Sequence, residues 1–149
     1  MPTLRPTGVT PVNPAYPPGH LYRYGENKSP GVTDMTRAFE DAILANYGNT
    51  ITVPDGTYLV GNLSPFQGAG TRVVGQSKYG TIIKAKAGTT GAIFNFASAA
   101  SATSAFNEIS NMRIDLNGED CIAIDLSSCN NDVVRDVFIV GGTSIGTAI

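Results

Sequence analysis

Four of the aspartates in the last third of the chain, Asp115, Asp125, Asp132 and Asp136, lie in or beside short apolar runs together with Arg113 and Arg135. Carboxylates in pairs are the tools of glycosidic bond hydrolysis, in which one acts as acid and the other as nucleophile or base across about 5–9 Å. A carboxylate beside a cation is instead the pairing an elimination needs, a base for an acidic proton and a positive charge for the resulting anion. Asp115 and Asp125 are therefore the candidate catalytic acids, with Arg113 as the candidate cation. The opposing reading is that outward charges on a strand keep it soluble and discourage edge pairing. Asp132 and Asp136 also have the residue type that closes corners.

These residues are carried by a phrase written twice. Ile109-Ser110-Asn111-Met112-Arg113-Ile114-Asp115-Leu116 is echoed twenty-five residues on by Val134-Arg135-Asp136-Val137-Phe138-Ile139-Val140-Gly141. Met112, Ile114 and Leu116 alternate with Arg113 and Asp115, as a strand with one buried face requires. Ile122, Ile124 and Leu126 repeat the pattern, leaving Ala123 and Asp125 outward. Asn111, Asn117-Gly118, Asn130-Asn131 and Gly141-Gly142 supply residues that accept positive φ at low cost. A period of this length is typical of stacked units that bury their apolar faces on one another. The expected fold is all-β: a right-handed parallel β-helix with about three short faces per coil. In that register Asp115 aligns with Val140, Asp136 with Asn111 and Arg113 with Phe138, so no acid stacks on an acid. The second copy ends at Ile149, and the chain reads as a solenoid cut short or covered by a partner.

Upstream, short β runs separated by turns occupy Ile51–Val53, Thr57–Val60, Arg72–Gly75, Thr81–Lys84 and Ala92–Phe96, with Pro54-Asp55-Gly56 as a strong turn. Met35, Phe39, Ala42 and Ile43 recur at helical spacing and predict a helix from Thr33 to Tyr47. Asp34 or Thr33 would cap its start and Gly48-Asn49 would end it. Residues 1–21 hold six of the nine prolines and form an extended arm, a linker or a segment that docks elsewhere. Residues 22–149 form the domain.

Composition narrows the function. A net charge of −2 with 15% charged residues lacks the basic face of a nucleic-acid binder. No apolar run approaches the roughly 20 residues of a membrane span, and Met1 is not followed by a signal-peptide pattern. Cys121 and Cys129 lack the companions of a metal or redox site, and two free thiols are expected. Asp115-Leu116-Asn117-Gly118-Glu119-Asp120 lacks the spacing of an EF-hand loop, and Gly68-Ala69-Gly70 lacks that of a phosphate loop. No metal or cofactor is expected.

Three segments carry a family resemblance: Arg23-Tyr24-Gly25, Gly31-Val32-Thr33-Asp34-Met35-Thr36-Arg37-Ala38-Phe39, and Val53-Pro54-Asp55-Gly56-Thr57-Tyr58-Leu59-Val60. Together they resemble the entry segment of pectate-lyase-superfamily β-helix proteins, common in bacteriophage tailspikes and polysaccharide-degrading proteins. Glu26 stands where the family has Ala, and Met35 replaces a second Asp. The resemblance implies that the helix caps the first coil, with Phe39 and Ile43 plugging its end. It implies a homotrimeric virion tail protein, assembled in the host cytoplasm beside other tail proteins, that recognises and depolymerises host surface polysaccharide. The alternatives are a non-enzymatic adhesive fibre, a secreted bacterial lyase or glycoside hydrolase of the same superfamily, and an unrelated β-sandwich binding module.

Overall fold

The computed structural model describes residues 8–65, 69–96, 105–127 and 131–143. A 3-10 turn (Leu21–Arg23) precedes one helix, α1 (Thr36–Ala45). Eight strands follow: β1 (Thr50–Val53), β2 (Gly56–Val60), β3 (Arg72–Gly75), β4 (Thr81–Ala85), β5 (Ala92–Asn95), β6 (Glu108–Asp115), β7 (Ile122–Asp125) and β8 (Val133–Val140). All pairings between these strands are parallel. The main sheet runs β1-β3-β6-β4-β2 with β8 on β6, and β5 and β7 form a second, two-stranded sheet.

The echo is the register of β6 on β8. Ile109 lies opposite Val134, Met112 opposite Val137 and Ile114 opposite Ile139. The inward residues continue across the sheet, with Ile51 on Val73 on Ile109 and Tyr58 on Ile83 on Ile114. All six are fully buried. Alternation thus places one apolar row under each wing of the sheet, and burial of those rows is the main force holding it together.

The architecture differs from the expected right-handed β-helix. The main sheet is continuous and curled into a half-barrel, because β6 pairs with β3 through its first residues and with β4 through its last. The bend falls at Asn111, whose φ is 58°, and Asp136 repeats it on β8 with φ 51°. Neither residue has a partner in the ladder, while the flanking pairs Ser110–Arg135 and Met112–Val137 are kept. A single left-handed residue turns a strand without ending its pairing, so Asn111 joins two wings where a solenoid needs a corner between separate faces. Its side-chain amide donates to the carbonyls of Gly75 and Gln76 at 2.9 and 3.1 Å, which ties the bend to the end of β3.

The helix is also not the terminal cap that was expected. Phe39 is fully buried and meets Tyr58 of β2 and Phe94 of β5 edge-on, with centroids 5.9 and 6.5 Å apart. Since it links the two sheets, α1 is a wall of the core. It is shorter than the periodicity predicts. The Met35 amide is taken by the Leu59 carbonyl at 2.8 Å, which draws residues 34–35 along the edge of β2. The Asp34 carboxylate still accepts the Thr36 amide at 3.0 Å. At the other end Asn46, buried and bonded to the Ala42 carbonyl and the Tyr24 hydroxyl, stops the helix ahead of Gly48.

The described part of the proline-rich arm is folded back on the domain. The Val12 and Asn13 amides donate to the Arg23 carbonyl, Arg23 Nη1 donates to the carbonyls of Pro14 and Tyr16, and the Thr52 amide donates to Gly19. Proline leaves its own carbonyl free to accept, and the residues between the prolines supply the donors.

Candidate functional site

The outer face of the main sheet collects the polar side chains that alternation turns away from the core. One row across the second wing is Thr57, Ile82, Arg113 and Phe138, and the next is Leu59, Lys84, Asp115 and Val140. Arg113 Nη2 lies 3.4 Å from Asp115 Oδ2, with both side chains partly exposed. The other Asp115 oxygen accepts the Asn117 amide at 2.9 Å and closes the turn after β6. Arg113 Nε is enclosed and has no hydrogen-bond partner.

Of the three sequence candidates, the fold brings together Arg113 and Asp115 and separates Asp125. Asp125 lies on β7, in the two-stranded sheet opposite Asn95, and its carboxylate accepts the Ser127 amide at 2.9 Å. Asp132 accepts the Asn107 amide at 2.7 Å, and Asp136 occupies the bend of β8. Asp125 and Asp132 thus each accept a backbone amide, and Asp125 lies in a different sheet from Asp115. Cys121 has a free thiol pushed up by burial and by Glu119 and Asp120, which makes it a poor nucleophile. Cys129 lies outside the described residues. Among the described residues no group of three or more His, Cys, Asp or Glu side chains is placed to hold a metal ion.

Two features of this face were not anticipated. Tyr79 is 67% exposed, and its ring meets Phe138 (44% exposed) edge-on at 5.9 Å. Lys78 Nζ sits 5.9 Å from the Tyr79 centroid. Phe138 is the register neighbour of Arg113, so the aromatic pair borders the ion pair directly. The first wing carries Glu108, whose side chain is 10% exposed between Arg135 at 2.9 Å and Arg72 at 3.9 Å. Burial pushes the Glu108 carboxyl up, but the Ser110 side chain and the two guanidiniums outweigh it and hold the group below its ordinary value. Arg72 and Glu108 stand opposite each other thirty-six residues apart, a spacing the twenty-five-residue echo does not contain.

A separate polar concavity is lined by Asp34, Thr36, Asn62, Lys86 and Thr89. The Lys86 ammonium, 2.7 Å away, and the Thr36 hydroxyl hold the Asp34 carboxyl at about 2, below its usual 3.8. Because the folded value is depressed, the stabilisation is complete above about pH 4 and is lost as pH falls through about 2. Both side chains are almost half exposed, so solvent limits the contribution to less than about 1 kcal/mol. The expected result is an Asp34→Asn variant that melts slightly below the parent at pH 6, with the gap closing as pH falls through about 2. Thermal melts of the two proteins across that range measure it.

No protein-family model matches the chain, and no curated protein matches it. A solved structure does. The chain is similar to ORF18 of Geobacillus virus E2, with 25% identity over 80% of this chain and a TM-score of 0.67. This chain spans about a quarter of that protein, 25% of its length. The parallel sheet is therefore shared with a bacterial-virus protein. No helix among the described residues is long and apolar enough to cross a membrane.

Proposed function

We propose that this chain is part of a bacterial-virus tail protein that recognises host surface polysaccharide through the outer face of its curled sheet. The observation that carries this reading is the exposed Tyr79–Phe138 pair beside Arg113 and Asp115. A sugar ring offers an apolar C–H face and a rim of hydroxyls. Aromatic side chains left in water can take the first, and a partly exposed ion pair can take the second. The likeness to a viral protein supports the virion setting. Within that setting the partners are other tail proteins and further copies of this chain in a homotrimer.

Recognition is favoured over cleavage by this chain alone. Asp115 is committed to Arg113 and Asn117, and Asp125 belongs to the other sheet. Replacing both Tyr79 and Phe138 by alanine should weaken polysaccharide binding about tenfold, since each aromatic contact is worth about 0.5–1.5 kcal/mol. Tyr79 is solvent-exposed, so Tyr79→Ala alone should leave the melting temperature unchanged and still weaken binding several-fold. Affinity electrophoresis through gels holding surface polysaccharide from a susceptible host measures both variants. Unaltered retardation of the double variant would remove this face from the account. New reducing ends or unsaturated uronates in the gel would show cleavage instead.

A further inference from the structure

His20, the one histidine of the chain, sits where the proline-rich arm joins the domain. Its Nδ1 accepts the Tyr22 amide at 3.2 Å and caps the 3-10 turn Leu21–Arg23. Its ring stacks on Tyr16 of the arm, with centroids 4.6 Å apart and planes 20° from parallel. Tyr22 meets the Tyr16 and His20 rings at 5.7 and 5.5 Å, and its hydroxyl lies 3.1 Å from that of buried Tyr58. A series of aromatic rings thus runs from the arm to the core with the imidazole inside it. The backbone beneath fits closely. The Gly19 carbonyl accepts the Thr52 amide at 2.8 Å, and a Cβ on Gly19 would strike the Thr50 carbonyl oxygen.

The Nδ1 contact requires a neutral imidazole, because a protonated ring carries a donor on both nitrogens and has no acceptor. Protonation would set the Tyr22 amide against another donor. The surroundings give the new charge little support. Residues 8–19, β1 and β2 contain no charged side chain. The groups around His20 are the phenols of Tyr16, Tyr22 and Tyr58, and the Arg23 guanidinium, which donates to the Tyr16 carbonyl at 2.6 Å. Beyond Tyr58, in the β1–β2 turn, Asp55 is already bonded to the Ser77 and Thr81 hydroxyls. The face of Tyr16 attracts an imidazolium, but such contacts are weak at exposed sites. The lost acceptor and the Arg23 charge act the other way, and burial pushes the imidazole below its ordinary 6.5. Because the folded value is depressed, the stabilisation is complete above about pH 6.5 and is lost as pH falls through that lower value.

We propose that His20 is a pH-sensitive latch whose protonation shifts the proline-rich arm from docked on β1 towards released. The arm responds as a unit, since the Tyr16 stack, the Tyr22 cap and the hold of Arg23 on Pro14 and Tyr16 all pass through residues 16–23. Release uncovers the edge of β1 that Gly19 now covers and leaves the Thr52 amide without its partner. The sheet stays folded, because its inward rows rest on one another and not on the arm. The device is independent of polysaccharide recognition.

The test follows amide hydrogen exchange and the His20 ring resonances of the isotopically labelled chain from about pH 7.5 to about pH 5. Protection is taken relative to the unfolded chain at each pH, which removes the intrinsic pH dependence of exchange. The expected result is a fall of about fivefold in protection of the Val12, Asn13, Tyr22 and Thr52 amides, the worth of one capping hydrogen bond. The Glu108 and Leu116 amides, bonded to Thr71 and Val140, should keep theirs. The fall should share its midpoint with the His20 titration, below 6.5. His20→Asn places an uncharged acceptor at the same cap, so its arm should stay protected throughout. Arm protection that does not change in the parent, a fall that does not follow the His20 titration, an equal fall in His20→Asn, or a fall shared by the sheet amides would each overturn the latch. Should His20→Asn lose the arm at every pH, the comparison of midpoints in the parent chain decides.

Discussion

Gly75→Ala is expected to prevent folding or to destabilise the protein by about 3 kcal/mol or more, through a backbone collision rather than a lost contact. A Cβ on Gly75 would lie 2.1 Å from the Asn111 carbonyl oxygen and 3.0 Å from Thr81 Cβ. The closest neighbour is main chain, so no rotamer change relieves it. Moving Asn111 would break the bend of β6 and its two hydrogen bonds to residues 75 and 76. The φ of Gly75 is not in the left-handed region, so the requirement is for space alone. Urea unfolding of the variant measures the loss. A change below about 1 kcal/mol would mean that β3 and the β6 bend are not packed this closely.

Phe39→Ala should cost about 3–5 kcal/mol, the usual range for emptying a large aromatic site in a core. Phe39 is fully buried and is the one α1 side chain seen to stack on both Tyr58 and Phe94. Those two rings belong to different sheets, so truncation removes the joint between them as well as the buried area. Tyr58 depends on the same site. Its hydroxyl donates to the Pro54 carbonyl at 2.8 Å and lies 3.1 Å from the Tyr22 hydroxyl, and burial pushes its pKa well up. Loss of the Phe39 ring should therefore lower the cooperativity of unfolding as well as its midpoint. If α1 were only a lid, Phe39→Ala would fray the helix and leave the denaturation midpoint of the sheets almost unchanged.

The sequence was most legible where alternation was cleanest. Strand positions follow from period-two burial, and the pairing of β6 with β8 follows from the echo because no insertion interrupts it. Most of the other registers were hidden. Thr50 pairs with Arg72, Ile82 with Arg113 and Arg72 with Glu108, offsets of twenty-two, thirty-one and thirty-six residues. Unequal loops erase a repeat without disturbing the ladder. The overall architecture was misread for a different reason. An asparagine at positive φ serves equally as a corner between faces or as a bend within one strand, and local sequence does not separate the two. Only the partners of β6 on either side of Asn111 decide it.

The candidate site divides along the same line. Arg113 and Asp115 are two residues apart on one strand, so their meeting could be read directly. Asp125 matched them in alternation and was carried to another sheet by pairing with β5. Glu108 escaped notice because its partners Arg72 and Arg135 come from strands on either side of it. Tyr79 sits just before β4, outside any strand pattern, and gains meaning only from Phe138 fifty-nine residues later. The helix ends were likewise tertiary, since Leu59 competes for the Met35 amide and Asn46 finds Tyr24.

The most direct test of the functional account is an amide chemical-shift titration of the isotopically labelled chain with a bound polysaccharide fragment. Shifts should concentrate on Tyr79, Ile82, Arg113 and Phe138, and the inward rows should stay still. Shifts confined to the proline-rich arm or to the concavity around Asp34 and Lys86, with the outer face silent, would contradict the account.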